Sequence, residues 1–447
     1  MRVFSKDIKN KYVVFKYDHW NDNHPRGIIT ETLGDVNLPS AYYEYRLYCR
    51  NVHDSISEFT TKVRELTRDR DQIYANIRSN PKFNVQSRID VPVYSIDPVG
   101  CTDIDDAFSI QPLTREPGYK ISIYIANVFV WMETLGLWEF ITDRVSTIYL
   151  PDKKRTMLPA ILSENLCSLL KHQSRFAFCM DVFVSPDGTL LREPEFSNVE
   201  ISLHSNFAYE EPRLLSNPNC RLFMDITKKM DASVGDTHDL VEFWMIYMNS
   251  RCGERLARAK HGIFRTATIN ENSTNELRHI IRNWNDVNCK YAVYDENSEM
   301  VHEVLQVAAY AQITSPIRRL VDLLNQTIFI QHMGMSEVSQ SAIQCVDRWK
   351  HKIAVINTKT KSIRKTQTEC EVITMSLGSE YKGVVFGKRL MNDGIYKYSV
   401  YVENLRIFGT VKSYMDLQEY SNVRLEIYYF SDEYDSKRKL KYLIRGT

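Results

Sequence analysis

The sequence of 447 residues lacks a long apolar run, since no uncharged stretch approaches the roughly 18–20 residues needed to span a bilayer. Its amino-terminal stretch, MRVFSKDIKNKY, is charged and has no apolar core, so we expect no secretory signal there. The nine cysteines are scattered and contain no C-x-x-C pair, which argues against a disulfide framework and against a zinc site. We therefore expect a soluble protein of the cytoplasm or another reducing intracellular compartment, with no membrane partner.

Neither sign of charge dominates, because 57 Lys and Arg face 56 Asp and Glu. A net charge of +1 neither indicates nor excludes a local basic surface. Residues 347–367 do hold seven Lys and Arg against one acid, which fits either a solvated helix face or a contact with a nucleic-acid backbone. Composition is otherwise that of an ordinary globular protein, with 16 Gly, 14 Pro and no internal repeat.

The length of the chain predicts two to four domains. Residues 1–85 are typical of a small β-rich module followed by a connecting helix. Residues 86–375 form the bulk, and residues 376–447 return to short strands that favour a small OB-type barrel. Within the bulk, helical spacing is found over 238–260, 275–285 and 302–333.

The segment DPVGCTDIDD, residues 97–106, crowds four carboxylates between two strand-like apolar stretches. They belong to Asp97, Asp103, Asp105 and Asp106. Like charges this close repel, and burying them unpaired would cost several kcal/mol. The proline and glycine between them favour a turn that lets Asp97 face the other three. By composition alone a solvated acidic turn fits as well as a metal site, but the flanking strands favour the metal site.

Carboxylate oxygens are suited to Mg²⁺ or Mn²⁺, whereas no His or Cys stands at the spacing of zinc ligands. The spacing also differs from an EF-hand, which needs a glycine at the sixth position and a closing glutamate. A magnesium ion held mainly by carboxylates is the usual arrangement for phosphate chemistry. An acidic structural protein that binds Ca²⁺ is a weaker alternative, because it leaves the arginines of the next segment unexplained.

The segment YAQITSPIRRL predicts a helix that starts at its proline, with Ser315 or the threonine before it as the cap. Arg318 and Arg319 would then lie in the first turn, where the helix dipole disfavours cations. An anion held there by free N–H groups and arginine together would explain that placement. The alternative is two surface arginines that pair with acids such as Asp322.

Together, SIDPVGCTDIDDAFSI and YAQITSPIRRLVDL resemble the two signature segments of the RNB family of exoribonucleases, which includes ribonuclease II/R and exosome-associated eukaryotic enzymes. IYIANV, STIYLPDKKRTMLPAILSENLCSL and LVEFWMIYMN resemble further segments of that family. The resemblance covers nearly the whole chain. It implies an α+β fold in which residues 86–375 form the catalytic domain, a mixed sheet surrounded by helices with an RNA channel.

The flanking parts also resemble parts of that family. Residues 1–85 resemble its second cold-shock-type OB domain, and residues 376–447 resemble its C-terminal RNA-binding OB domain. We expect no counterpart of the first cold-shock domain or of the endonuclease domain of the eukaryotic relatives.

The activity that the resemblance implies is Mg²⁺-dependent, hydrolytic 3′→5′ degradation of single-stranded RNA to nucleoside 5′-monophosphates. We expect that Mn²⁺ can replace Mg²⁺ and that the protein is a monomer. Asp97 and Asp106 match the acids that hold the metal. Asp103 and Asp105 match the other two, with Asp105 closest to the chemistry. Arg318 matches the arginine that steadies the scissile phosphate.

Further residues match positions along the RNA path. Tyr149 corresponds to the tyrosine that meets the terminal nucleotide and counts with the catalytic set. Tyr209 corresponds to an aromatic nearer the RNA path, and Glu369 to a glutamate near the end of the RNA. Ser315 and Arg319 belong to the same signature as Arg318 and are expected to contact RNA. Outside the family context, both tyrosines could equally be core aromatics.

The chain also departs from the family pattern at several positions. Tyr124 and Asn127 replace a His and an Asp, Phe243 replaces one of two glutamates, Gln312 replaces a His, and Asn325-Gln326 replace His-Arg. A catalytically inactive RNA-binding protein of the same fold is therefore the rival hypothesis. The persistence of all four acids favours the active enzyme.

Overall fold

A computed structural model describes residues 10–21, 23–267, 289–296, 300–375, 380–405, 407–431 and 438–446. These residues form a mixed α+β structure, which confirms the fold class expected from the sequence. The strands are β1 (Lys11–His19), β2 (Arg26–Asp35), β3 (Val85–Asp97), β4 (Asp106–Pro112), β5 (Tyr119–Ala126), β6 (Ile148–Tyr149), β7 (Lys154–Arg155), β8 (Ser174–Val184), β9 (Leu190–Ala208), β10 (Ile263–Thr266), β11 (Lys290–Val293), β12 (Tyr381–Leu390), β13 (Tyr396–Val402), β14 (Ile407–Ser413), β15 (Asn422–Ser431) and β16 (Arg438–Gly446). The helices are α1 (Pro39–Cys49), α2 (Ser57–Leu66), α3 (Arg70–Ser79), α4 (Val128–Thr134), α5 (Pro212–Ser216), α6 (Pro218–Met230), α7 (Thr237–Arg258), α8 (Leu320–His332), α9 (Gln340–His351) and α10 (Ile353–Thr374).

The centre of the molecule is a closed barrel formed by β3, β4, β5, β8 and β9. Neighbouring strands pair antiparallel except β3 and β9, which run parallel and close the barrel. The near-continuous apolar runs of β5 and β8 are almost wholly buried, as expected for strands covered on both faces. Helix α8 is buried from Leu320 to Ile330 and is tied to the barrel through side-chain hydrogen bonds of Gln326.

The amino-terminal module consists of a hairpin and three helices in the part that is described. Strands β1 and β2 pair antiparallel, and Tyr12 of β1 stacks on Tyr45 of α1 with ring centroids 4.4 Å apart. An OB-fold has five strands. Of the OB module expected at the amino terminus, the described residues contain one two-stranded sheet, formed by β1 and β2. The connecting segment is two helices rather than one, because Asp69 accepts a hydrogen bond from the Gln72 N–H and starts α3.

The carboxyl-terminal strands form one antiparallel sheet in the order β14-β13-β12-β15-β16. All five lie where short strands were predicted. Their inward residues, among them Val385, Tyr398 and Leu425, make an apolar core that is separate from the central one. This five-stranded arrangement is what an OB-type module requires.

Two expectations about helices need correction. The helical pattern over 302–333 is realised in a single 3-10 turn at Glu303–Leu305 and in α8, because residues 306–319 form turns and irregular backbone. Lys359, in the basic run, is not on a solvated face: its ammonium is buried and bonds both oxygens of Asp54 at 2.8 and 2.7 Å. The predicted helix at 275–285 lies outside the described residues. Over the ranges given above, no helix is both long and apolar enough to cross a membrane.

Candidate active site

The four aspartates are carried by the connection between β3 and β4. Asp97 is the last residue of β3 and Asp106 is the first residue of β4. Between them the backbone turns at Gly100, which has a φ of 79°, a value that favours glycine. The loop then folds back onto the barrel, because the Asp105 carbonyl accepts a hydrogen bond of 2.8 Å from the Ala126 N–H. The predicted turn is present, and it gathers the acids at one end of the barrel.

Asp105 lies at the centre of the site and is only 2% exposed. Its Oδ1 accepts the Ile317 N–H at 2.9 Å, and its Oδ2 accepts Arg318 Nε at 2.9 Å. Arg318 Nη2 also donates to Ser315 Oγ at 3.0 Å. The predicted helix start at the proline is wrong, because α8 begins only at Leu320. The anion bound by this turn and its arginine is the carboxylate of Asp105 itself.

Arg318 reaches Asp105 because its segment pairs with residues 145–147. The Thr147 N–H donates to the Arg318 carbonyl at 2.9 Å, and the Leu320 N–H donates to the Val145 carbonyl at 2.9 Å. The same pairing brings Tyr149 to the cluster. These contacts join two parts of the chain that lie far apart in the sequence.

Tyr149 and Asp103 are bonded to each other. The Tyr149 hydroxyl donates to Asp103 Oδ2 at 2.6 Å, while 38% of the tyrosine remains exposed. Burial, followed by the bond to Asp103, raises the pKa of the phenol well above its ordinary value. The hydroxyl is therefore held protonated against the carboxylate.

Lys154 is a site residue that the sequence reasoning missed. It pairs with Tyr149 across the β6–β7 hairpin. Its ammonium donates to Asp103 Oδ1 at 2.9 Å and to Thr102 Oγ1, and it forms an ion pair of 2.8 Å with Glu164. The Pro-Asp pair that follows Tyr149 two residues later is a turn signal, and it would have placed Lys154 opposite the tyrosine.

Asp97 and Asp106 differ from the other two acids. The Oδ2 atom of each is buried and has no hydrogen-bond partner. Burial raises the pKa of Asp97 to about 6, and burial together with the charges of Asp97 and Asp105 raises the pKa of Asp106 well above its ordinary value. Two buried carboxylate oxygens without a donor fit a cation bound between them. Within the described ranges, no three His, Cys, Asp or Glu side chains form a ready metal cage, so the site offers two open carboxylates.

Tyr209 lies beside these two acids, as the sequence led us to expect for an aromatic near the site. Its N–H donates to the Asp97 carbonyl at 3.2 Å. Burial, and then the charges of Asp106 and Asp97, raise the pKa of its phenol. Its ring stacks nearly parallel on the exposed His238, with centroids 3.7 Å apart. His238 is a second residue that the sequence reasoning missed.

Two of the expected RNA-contacting residues have partners within the protein. Glu369 of α10 accepts Arg46 Nη2 at 2.5 Å and also pairs with Arg50, both on the α1 side of the molecule. Arg319 Nη2 donates to Asp322 Oδ1 at 2.8 Å. Arg319 therefore follows the alternative stated for it in the sequence analysis, which is a pair with Asp322. The structure therefore joins Arg318, but not Glu369, directly to the acids.

The departures on the family strand serve packing. Tyr124 is buried in the barrel, and its hydroxyl lies 2.9 Å from Ser109 Oγ. The side chain of Asn127 accepts the Val130 N–H at 3.3 Å, which caps α4, and it donates to Asn198. Both side chains thus have hydrogen-bond partners inside the fold.

The departures near α8 also have partners within the fold. Asn325 pairs with the backbone of β10 at 2.8 and 2.9 Å, and Gln326 bonds backbone groups at the end of β5 and in α4. The Gln312 side chain lies 2.6 Å from the Tyr291 hydroxyl. Phe243 packs edge-on against the neighbouring tryptophan of α7. None of these described contacts alters the bonds made by Asp105 or Arg318.

Comparison with known proteins places the chain. Residues 86–220 match the RNB domain family. The "Probable exosome complex exonuclease RRP44" of Caenorhabditis elegans is 28% identical over 179 residues, which is 39% of this chain and 18% of that protein. The match thus spans about a fifth of the length of that curated relative.

Solved structures share the fold across most of the chain. Mycoplasma genitalium RNase R in complex with ribose-methylated single-stranded RNA matches with a TM-score of 0.73 and 14% identity, covering 99% of this chain and 84% of that one. Yeast Ssd1, described as a pseudonuclease, matches with a TM-score of 0.63 and 13% identity, covering 90% and 59%. At such identities the likeness concerns the fold. The family match, the related exonuclease and the shared fold agree, and we conclude that residues 86–220 match the RNB domain and that the chain shares the fold of RNB-domain proteins.

Proposed function

We propose that this chain is a Mg²⁺-dependent, hydrolytic 3′→5′ exoribonuclease that degrades single-stranded RNA to nucleoside 5′-monophosphates. The observation that carries the proposal is the state of the four aspartates at one end of the barrel. Two of them are bonded to donors of the chain, and the other two keep buried oxygens without partners. Such an arrangement is costly for a fold and is expected where a cation and a phosphate bind.

Arg318 is suited to bind the scissile phosphate. Two of its five N–H donors are used, by Asp105 and Ser315, and 40% of its side chain is exposed. The remaining donors can form a fork to phosphate oxygens while Asp105 fixes the orientation of the guanidinium. The charge that develops on the phosphate would therefore meet a cation already held in place.

Asp97 and Asp106 would hold the metal ion, because their unpartnered oxygens are the open ligands of the site. A bound Mg²⁺ would supply Lewis acidity at the phosphate and lower the pKa of water. Asp105 lies beside Asp106 in the chain and between the metal ligands and Arg318, so it is positioned to orient the reacting groups. Mn²⁺ has the same preference for oxygen ligands and is expected to replace Mg²⁺.

The aromatic residues would grip the end of the strand. Tyr149 has an exposed ring directly beside Asp103, and a nucleobase could stack on it next to the acids. The stacked pair of Tyr209 and His238 offers a second aromatic surface near Asp97. Single-stranded RNA suits such surfaces because its bases are free to leave the helical stack. We assign residues 86–375 to catalysis and residues 376–447 to RNA binding.

An RNA-binding protein without nuclease activity is the second candidate. The fold shared with yeast Ssd1, a pseudonuclease, is the observation that favours it. The four aspartates and Arg318 favour the enzyme, because an RNA-binding surface alone has no use for buried acids without partners.

A shortening assay separates the two candidates. A single-stranded RNA labelled at its 5′ end is incubated with the chain in Mg²⁺, Mn²⁺ or EDTA, beside Asp105→Asn and a control, Asp225→Asn, at an exposed position of α6. We expect a metal-dependent ladder that shortens from the 3′ end. Asp105→Asn should slow it at least about a hundredfold and still bind RNA, whereas Asp225→Asn should match the unmodified chain.

Binding without shortening in either metal would establish the non-cleaving candidate. Shortening at an undiminished rate in Asp105→Asn would mean that the chemistry is centred elsewhere.

A further inference from the structure

The four aspartates divide into two pairs by their partners. Asp105 is bonded to Arg318 and to a backbone N–H, and Asp103 is bonded to Lys154 and Tyr149. Asp97 and Asp106 each keep a buried oxygen that has no partner. The first pair is therefore neutralised by cations of the chain itself, and the second pair is not.

Lys154 occupies an oxygen-lined position at Asp103. Its ammonium contacts three oxygens, from the Asp103 carboxylate, the Thr102 hydroxyl and the Glu164 carboxylate. Hard divalent cations prefer such oxygen ligands. Only 22% of the lysine side chain is exposed, and the β6–β7 hairpin holds its backbone opposite Tyr149. The ammonium thus fills the place that a cation bound to Asp103 would need.

The charges of the site balance with one divalent ion. When all four aspartates are ionised, their four negative charges meet two positive charges from Lys154 and Arg318, which leaves two negative charges for one divalent cation. Glu164 shares Lys154 with Asp103 at 2.8 Å, but it is not one of the four aspartates, and the balance concerns those four alone. Arg319 is outside this balance, because Asp322 pairs with it.

We propose that Lys154 takes the place of a second divalent cation at Asp103, so that the site binds a single metal ion between Asp97 and Asp106. This inference rests on the proposed function, since it concerns the metal ion that the nuclease would use. Lys154 lies in the segment STIYLPDKKRTMLPAILSENLCSL, between its YLP and MLP triplets. The family resemblance gives the residues between those triplets no function. Lys154 is a positioning residue, because it contacts Asp103 and keeps a second metal ion out of the site.

The test counts ions on the metal-free full chain without RNA. Mn²⁺ is titrated and followed by calorimetry and by the electron paramagnetic resonance signal of the free ion. The variants are Lys154→Met and Lys154→Gln, which remove the charge, Lys154→Arg, which keeps it, and Asp106→Asn. Thermal unfolding of each variant verifies that it is folded.

We expect one ion per chain in the unmodified protein and in Lys154→Arg. We expect two ions in Lys154→Met and Lys154→Gln, because the three oxygens around Lys154 then become available. Asp106→Asn should weaken binding of the single ion at least tenfold. Two ions on the unmodified chain would overturn the proposal even if no variant folded. One ion on folded Lys154→Met and Lys154→Gln would also overturn it.

The outcome is distinguishable from that of the proposed function. A chain that shortens RNA but binds two ions refutes the role of Lys154 alone. A chain that binds one ion through Asp106, binds a second in Lys154→Met and Lys154→Gln, and leaves RNA intact supports the role of Lys154 and refutes the nuclease.

Discussion

Replacing Asp105 by asparagine should stabilise the metal-free protein while it removes the activity. Burial is the largest influence on this carboxyl group and raises its pKa from 3.8 to about 7, although Arg318 and the Ile317 N–H act in the opposite direction. A raised pKa means that the ionised carboxylate is less stable in the folded protein than in the unfolded chain. Asparagine has nearly the same shape and carries no charge to be desolvated.

The size of the effect follows from the two competing contributions. A pKa that rises from 3.8 to about 7 corresponds to about 4 kcal/mol of folding free energy at neutral pH. The pKa of about 7 already includes the attraction of Arg318, but an asparagine amide has one acceptor oxygen, so either the Ile317 N–H or Arg318 Nε loses its acceptor at a cost of about 1–3 kcal/mol. The variant should therefore gain about 1–3 kcal/mol at pH 7.5. With an unfolding entropy of about 2.1 cal/mol/K per residue, that is a rise in Tm of about 1–3 °C for this length.

The sign of the pH dependence follows from the same shift. The pKa of Asp105 is raised in the folded state, so this group contributes fully to the free energy of unfolding below pH 3.8. The unmodified protein loses that contribution as the pH rises towards about 7. Asp105→Asn does not titrate. The difference in Tm between variant and unmodified chain should therefore grow by about 3–4 °C between pH 4.5 and 7.5.

The assay is differential scanning calorimetry in EDTA at several pH values. Asp225→Asn, at the exposed position on α6, serves as the control and should show a constant difference from the unmodified chain. A loss of 2 °C or more in Asp105→Asn at pH 7.5, or a difference that does not change with pH, would refute the reasoning. Either result would mean that Arg318 compensates the buried charge fully.

Three further predictions concern single contacts. Tyr149→Phe keeps the ring but removes the hydroxyl that bonds Asp103, so the rate of RNA shortening should fall about tenfold to a hundredfold with little change in RNA affinity, measured by single-turnover kinetics and filter binding. Glu369→Gln removes the charge shared by Arg46 of α1 and Arg50 directly after it, so the protein should lose about 1–3 kcal/mol of stability in urea denaturation, while shortening of a brief oligonucleotide stays within twofold. His332→Gln should reduce the loss of stability between pH 7 and pH 5, because burial, with His261 and Lys350 nearby, lowers the pKa of this ring, and protonation then favours the unfolded chain.

Each of these has an opposing outcome. Weaker RNA binding in Tyr149→Phe with an unchanged single-turnover rate would assign the hydroxyl to RNA affinity alone. A selective loss of cleavage in Glu369→Gln at unchanged stability would support the role that the family resemblance implies. An unchanged pH slope in His332→Gln would show that other groups control acid stability, and His351→Gln on α9 is the matched control.

The local features of the site follow from the sequence. Strand-forming residues on either side of DPVGCTDIDD, with proline and glycine inside it, are sufficient to predict a turn that gathers four aspartates. The five short strands of the carboxyl-terminal module were likewise predicted, because their alternation and turns are local signals. The family resemblance added Tyr149, Tyr209 and Arg318, which the structure does bring to the acids.

The prediction of a helix start at the proline of YAQITSPIRRL was wrong, because contacts with distant parts of the chain determine the backbone there. Proline after serine is a sound helix-start signal, yet residues 315–319 remain a turn. The Ile317 N–H and the Arg318 side chain of that turn are satisfied by Asp105, which lies 212 and 213 residues earlier. Local propensity is a weak preference, and the backbone hydrogen bonds that join this turn to Val145 and Thr147 override it.

The sequence by itself determined the resemblance to the RNB domain, the α+β class and the turn that carries the four aspartates, because strand alternation, turn residues and motif spacing act over a few residues. Only the tertiary structure decided which carboxylates are neutralised by the chain and which remain open. Lys154 and Arg318 reach Asp103 and Asp105 from 51 and 213 residues away. Four identical side chains thus acquire different charge environments because packing, and not spacing along the chain, determines which cation each one meets.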